Sequence, residues 1–522
     1  MKTAHAEETA DAEGTADAEG TAELVRSGFT PRVLGGLRST WPVALVAAIA
    51  LVLLLALWSR VPTVQRLEGW FWPLGDGKLL PSLLLGVALF SFPLVIRRVA
   101  DVDGPKSHKR GLVLLLCLGF AYQHGLALVE HRGLDKMQER IELTGHGEFA
   151  ATAARRLSVW KTLVDYEHFV QAPDQRYARS KPPGQLLFYF AAAGAARQVM
   201  PLIWDPKPPQ DMSLRHFRLI HFATLFFPAI GLLTLIPLGY LGRLFLGERL
   251  ALWPALLYLT LPGPALVQLH LDQVLYPLVA TTFWACCAQA ARSPSGDLKP
   301  WVWCALMAWL GCFVSFSLLP MLLVGLGIVL GLAQPSARED WLRLGRGLGV
   351  SVVAGLGLSL LAFVTIHYEP WTAYRRCMEN HQEWKQWRES MRWQWAKLDL
   401  IEFAYWLGVP TVALWLRAAF PSMRQGGQPA RGRASVAAAA NWLGGYPGLA
   451  RITLLTVLLA AVLGKTEGEV ARLWLFLVPT VCVGAAGALA SMELGSAQAR
   501  LTALSACGLV WTYSLRAVQD FY

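Results

Sequence analysis

The stretch YARSKPPGQLLFYFAAAGAARQVM, residues 177–200, decides how the chain is threaded. Arg179 and Lys181 stand at a Lys181-Pro182-Pro183 turn, and an apolar run follows at once. Proline sets φ and has no N–H, so the pair makes a rigid lead-in to a helix start. A cation held there, where water meets membrane, suits an anionic lipid headgroup. The run 184–200 is short and interrupted by Arg197, which reads as a helix lying on a membrane rather than crossing it. The side on which every later loop falls depends on that choice.

The rest of the chain has the composition of a membrane protein. It has 522 residues, 54% hydrophobic and only 16% charged, where a soluble protein carries about 25% charged. Continuous apolar runs from Trp41 onward exclude an alternating β-barrel pattern and predict an all-α polytopic membrane protein. The net charge of +11 sits in short loops between these runs, which is an orientation signal and not a nucleic-acid surface. Of the eight cysteines, only Cys377 lies in a polar loop, and no metal-binding spacing occurs.

Residues 1–40 read as a cytoplasmic tail, with a repeat, TADAEG, at 9–14 and 15–20 that cannot bury a core and is expected to be disordered. Two additional N-terminal spans follow within 41–110, at about 41–58 and 79–96. The basic loop 97–110 is expected inside, which puts the long loop 130–215 outside. The core 111–417 is expected to hold spans at 111–129, 217–241, 250–266, 273–291, 300–317, 318–334, 346–366 and 399–416, with a second outer loop at 367–398. A cytoplasmic linker, 418–448, precedes spans at 449–464, 473–490 and 500–518. The total is about 13 transmembrane helices.

This threading collects the unusual polar residues on one face, where intramembrane charges are costly and usually functional. Glu148 lies in Thr144-Gly-His-Gly-Glu-Phe149, where glycines around His146 allow close backbone approach to a ligand. A carboxylate there can take a proton or, with His146, hold a divalent metal; the bland reading is an ordinary acid in a helix first turn. Asp165-Tyr-Glu-His168 is a second acid cluster in the same loop. Lys181 and Arg179 can share a phosphate, or Lys181 can be a plain interfacial anchor. His270 and Asp272 open a later span, and Asp272 has no partner nearby in sequence. The 367–398 loop interleaves tryptophans with arginines, as stacking on a sugar or an amphipathic interfacial helix would require. Glu467, Glu469 and Arg472 lie between two spans, and Glu469 and Arg472 have helical i,i+3 spacing and can simply pair. There is no complete GxxxxGK[ST] phosphate loop, HExxH or GxSxG.

An acid in a first outer loop, then Lys181-Pro182 before an apolar helix, then Asp272 at the outer start of a later span resembles the GT-C membrane glycosyltransferases. Lipid A aminoarabinose transferases and protein O-mannosyltransferases are the nearest in pattern, over about residues 110–370. The resemblance implies a GT-C-like bundle in the plasma (inner) membrane, an extracytoplasmic active site and a sugar donor on a polyprenyl phosphate. It implies transfer to a hydroxyl of a lipid, glycan or protein, with Glu148 as base, Lys181 on the donor phosphate and Asp272 as the later catalytic acid. His146, Arg179, His270, Glu469 and Arg472 are candidate substrate-binding residues. Magnesium or manganese held by Glu148 and Asp272 is a candidate cofactor. Two departures are His146, where those families often have a second acid, and Gly184, where a larger apolar residue is common. The rival expectations are a flippase or transporter, which calls for midplane charges and an internal repeat, and a non-catalytic envelope-assembly protein.

Overall fold

The computed structural model describes residues 31–59, 66–67, 70–71, 86, 91–93 and most of 105–519, apart from short stretches of which 386–391 and 422–441 are the longest. The 1–24 repeat segment, Glu467, most of the expected span 79–96 and most of the 418–448 linker therefore lie outside the described residues. The chain divides into two units, residues 1–49 and 50–522. The first holds the beginning of helix Pro31–Trp58, and everything below concerns the second.

The regular elements among the described residues are helices apart from one antiparallel pair of two-residue strands, Arg66–Leu67 and Trp70–Phe71. Seven of the described helices are long and apolar enough to cross a membrane, and an eighth span results if the bent pair Trp393–Leu407 and Val409–Ala419 is counted as one. The protein is thus an α-helical polytopic membrane protein. Among the described residues several of the 13 expected spans are broken apolar runs. Pro262 splits the 250–266 run into Trp253–Thr260 and Pro262–Leu266. Gly408, at φ 74°, and Pro410 bend the 399–416 run by 108°. Ser315 and Pro320 separate Lys299–Val314 from Met321–Ala333, dividing a region in which the sequence shows no polar turn.

The 184–200 run is not short. It forms one 21-residue helix, Pro183–Ile203, with length and apolarity enough to span. Its two ends meet different parts of the bundle. Gly184 presses on the carbonyl of Phe313, at the end of helix Lys299–Val314. At the other end Trp204 packs on His221, ring centroids 4.7 Å apart, in the first turns of helix Leu214–Leu232. Farther along that helix Gly231 meets Val274, in the first turn of helix Leu271–Arg292. The start of Pro183–Ile203 thus lies beside the start of helix Leu271–Arg292, and its far end lies beside the start of helix Leu214–Leu232, whose opposite end meets Val274.

Candidate functional site

The site is built on the 144–149 segment, and its glycines serve the chain itself. A Cβ at Gly147 would stand 2.2 Å from the Glu142 carbonyl oxygen, and one at Gly145 would stand 2.6 Å from the Tyr177 ring. The close approach foreseen from sequence is therefore to neighbouring chain, and it drives the His146 side chain inward. The His146 ring is 1% exposed and stacks on His270 at 4.1 Å. Its Nδ1 lies 3.0 Å from the Gln185 amide nitrogen. Its Nε2 lies 3.2 Å from Asp272 Oδ1 and 2.8 Å from Tyr177 Oη. With Gln185 donating to Nδ1, the ring proton sits on Nε2, facing Asp272 and Tyr177.

Lys181 reaches the same carboxylate from the other side. Its Nζ is 3.4 Å from Asp272 Oδ2 and 3.2 Å from Tyr276 Oη, and it lies over the Tyr177 ring. Arg472 closes the cluster, donating to Tyr177 Oη at 3.0 Å and pairing with Glu469 at 2.8 Å. The i,i+3 pair expected at 469 and 472 is present, and Arg472 belongs to the site besides. Four segments remote in sequence, around 146, 181, 272 and 472, meet in one buried knot.

Burial sets the charges. It pushes His146 below the ordinary histidine value, overriding the pull of Asp272, while Arg472 and Lys181 press the same way as burial. His270 falls well below the ordinary value, by burial and then by its neighbour His146. Burial also opposes the Lys181 charge, but Tyr177, Tyr276 and Asp272 outweigh it and hold the ammonium well above the usual lysine value. Two cations, Lys181 and Arg472, thus gather around one fully buried carboxylate, with two neutral imidazoles. Glu469, half exposed, stands at the rim.

The turn carrying Lys181 is gripped from both sides. Glu148 Oε2 accepts the backbone N–H groups of Tyr177, at 2.8 Å, and Ala178, at 3.1 Å. The Tyr166 hydroxyl lies within 3.4 Å of the carbonyls of Ala178, Lys181 and Pro182. Arg376 donates to the carbonyls of Arg179 and Lys181 while Glu167 holds its guanidinium by two bonds, at 2.8 and 3.2 Å. Gly184 is required next, because a Cβ there would stand 2.3 Å from the Phe313 carbonyl oxygen. That contact accounts for the glycine at this position.

Two expectations change. Arg179 does not face the cluster; its guanidinium donates to the carbonyls of Val170 and Gln171. A divalent metal shared by Glu148 and Asp272 does not fit the donors. Glu148 is engaged with backbone N–H groups, Asp272 divides its oxygens between His146 and Lys181, and no group of three His, Cys, Asp or Glu among the described residues is placed to hold a metal. Tyr276, Gln185 and Tyr166 were not singled out from sequence. Only Tyr276 carried a signal, lying one helical turn after Asp272 on the same face. Arg376 sits among many arginines, and nothing in sequence distinguishes it. In the 367–398 loop, Trp371 and Trp393 are exposed, at 63% and 68%.

No protein-family model, no curated protein and no solved structure matches this chain.

Proposed function

We propose that this protein is an inverting membrane glycosyltransferase with a GT-C-like bundle, moving a sugar from a polyprenyl-phosphate donor to a hydroxyl of an envelope lipid, glycan or protein on the extracytoplasmic face of the plasma (inner) membrane. One observation carries the reading: Lys181 and Arg472 converge with Asp272 and His146 at the end of an apolar helical bundle. Each cation is held by one carboxylate, Lys181 by the buried Asp272 and Arg472 by the half-exposed Glu469, and a phosphate can take the place of either carboxylate on them. Helix Pro183–Ile203 starts at that cluster and is apolar, so a prenyl chain whose phosphate sits on Lys181 can lie against it.

In this mechanism the donor phosphate takes the Lys181 ammonium from Asp272 and also engages Arg472. Asp272 Oδ2 is then free to accept the proton of the acceptor hydroxyl, with His146 holding Oδ1. The acceptor oxygen forms a bond to the anomeric carbon as the bond from that carbon to the phosphate oxygen breaks. The prenyl phosphate leaves with the bonding pair, and Lys181 and Arg472 stabilise the charge that develops on it. Glu148, the base expected from sequence, has a different part here: it holds the Tyr177–Ala178 turn that aims Lys181. No step requires a metal.

The test is sugar transfer by the purified protein in nanodiscs, from a radiolabelled polyprenyl-phosphate sugar to an envelope lipid extract. Asp272→Asn and Lys181→Met are each expected to cut turnover by about 100-fold or more, the scale of general-base and charge-stabilising groups. Turnover unchanged in both variants, or absent from the wild type across donors, rejects the reading.

A further inference from the structure

Behind the Lys181 turn lie two cavities that the proposed chemistry does not use. One is an apolar trough of about 470 Å³ between helices Leu271–Arg292, Lys299–Val314, Met321–Ala333 and Arg338–Ile366. The Arg338–Ile366 wall is almost unburied, only 6% of its apolar window being covered, so the trough borders the surface that lipid contacts. The other is a part-polar cavity of about 250 Å³, walled by Asp165, Tyr166, Glu167, His168 and His367 together with Leu163, Val164 and Ile366. Tyr368 lines both. Its ring meets Phe313 edge-on at 5.2 Å, and Phe313 stacks on Trp309 at 4.7 Å, so an aromatic wall leads up the trough to the polar cavity. The Tyr368 hydroxyl is buried without a partner. His367, at φ 52°, adopts the left-handed helix-end conformation that usually takes glycine, and this turns the chain over the junction.

We propose that the two cavities form one site for a second amphiphile: a membrane lipid with one acyl chain in the trough and a hydroxylated, non-anionic headgroup in the polar cavity. The trough follows helix Lys299–Val314 from Trp301 to Phe313, about 18 Å at 1.5 Å per residue. That matches one leaflet of a hydrocarbon core about 30 Å thick. The headgroup class follows from charge. The cavity holds two carboxylates; Arg376 is committed to Glu167 and to backbone carbonyls, and His168 lies 3.9 Å from Asp165. A phosphate would face carboxylates with no uncommitted arginine or lysine among the lining residues, whereas hydroxyls can donate to the carboxylates and exchange a hydrogen bond with Tyr368. Sugar rings also stack on aromatic walls of this kind. The cavity abuts the Lys181 turn through Tyr166, whose hydroxyl reaches the Lys181 carbonyl at 3.1 Å. On the transferase reading, this lipid is the acceptor. That role rests on the reading, whereas the lipid site itself does not.

The test is calorimetric binding of dodecyl glucoside and of dodecyl phosphate to the full-length protein in amphipol. Gly355 lines the trough with nothing within 4 Å of a Cβ built on it, so Gly355→Leu fills the trough without a clash at that atom. It is expected to weaken dodecyl glucoside about 10-fold, the scale of keeping about two methylene groups of the chain in water. Tyr368→Phe and Asp165→Asn are each expected to weaken it about 5-fold, whereas Asp165→Asn, which removes a carboxylate facing the headgroup, is expected to strengthen dodecyl phosphate. Glucoside affinity unchanged in all three variants overturns the site. Equally, Gly355→Leu weakening dodecyl phosphate more than the glucoside assigns the trough to an anionic lipid and overturns the proposal. Glucoside binding that responds to the variants while wild-type protein transfers no sugar supports the lipid site and overturns the acceptor role together with the transferase reading.

Discussion

Lys181 and Asp272 form a buried ion pair, 3.4 Å long, across 91 residues of chain. Each is almost wholly withdrawn from solvent, so neither charge is stable without the other. The pair joins the 177–182 turn to helix Leu271–Arg292, and it is the contact that a phosphate ligand would have to open.

Removing one partner should therefore destabilise the fold more than removing both. Asp272→Asn strands the Lys181 ammonium and is expected to cost about 3–5 kcal/mol, whereas Lys181→Met with Asp272→Asn should recover part of that loss. Thermal unfolding of the two single variants and the double variant in one detergent checks this. Additive losses would mean that the pair is not coupled.

Glu148 separates two roles by its amide variant. Glutamine retains an oxygen that can accept the Tyr177 and Ala178 N–H groups, whereas alanine leaves both without it. Glu148→Gln should keep transfer within about 10-fold of wild type, and Glu148→Ala should fall well below that, since orphaned buried donors cost about 1–3 kcal/mol. A collapse with glutamine of the size expected for Asp272→Asn would restore Glu148 as the base.

Arg376 and Tyr166 should act through Lys181. Tyr166→Phe removes the hydroxyl shared by three carbonyls, at about 1 kcal/mol of stability. Arg376→Ala also frees Glu167 and should cost more. Both should raise KM for the donor more than they lower kcat, because they loosen the turn and leave Asp272 in place. Steady-state kinetics over a range of donor concentrations reads the split.

Acid should loosen the cluster. Burial holds His146 and His270 below the ordinary histidine value, so the unfolded chain takes up these protons first as pH falls. Stability from the two neutral rings is complete above the unfolded value of about 6.5 and is lost as pH falls from there toward the lower folded values. The Tm should drop between pH 7.5 and 5, and the drop should be smaller in His270→Gln. Equal drops in both proteins would show that His270 does not enter the folded state neutral.

Gly184→Ala tests the packing of the turn on the bundle. A methyl at 2.3 Å from the Phe313 carbonyl oxygen meets backbone, which cannot swing aside. A loss of about 1–3 kcal/mol or more is expected, measured as a lower Tm. Wild-type stability would mean that the turn is not seated there.

Local chemistry was legible without coordinates wherever it depends on neighbours in the chain. The apolar runs declare a helical membrane protein because a backbone in lipid must bond to itself. The Pro182–Pro183 lead-in starts a helix where φ is already set, and Glu469 pairs with Arg472 one helical turn away. Tertiary structure alone decided which side chains meet. Hydropathy is blind to direction, so nothing in the string could tell that His146 turns in to Asp272 while Arg179 turns away to Val170 and Gln171. Nor could it tell that Arg376, one of many exposed-looking arginines, holds the Lys181 turn from 195 residues away. Those partnerships arise because a buried charge must find its counterpart wherever the packed chain places one, and sequence distance has no bearing on that requirement.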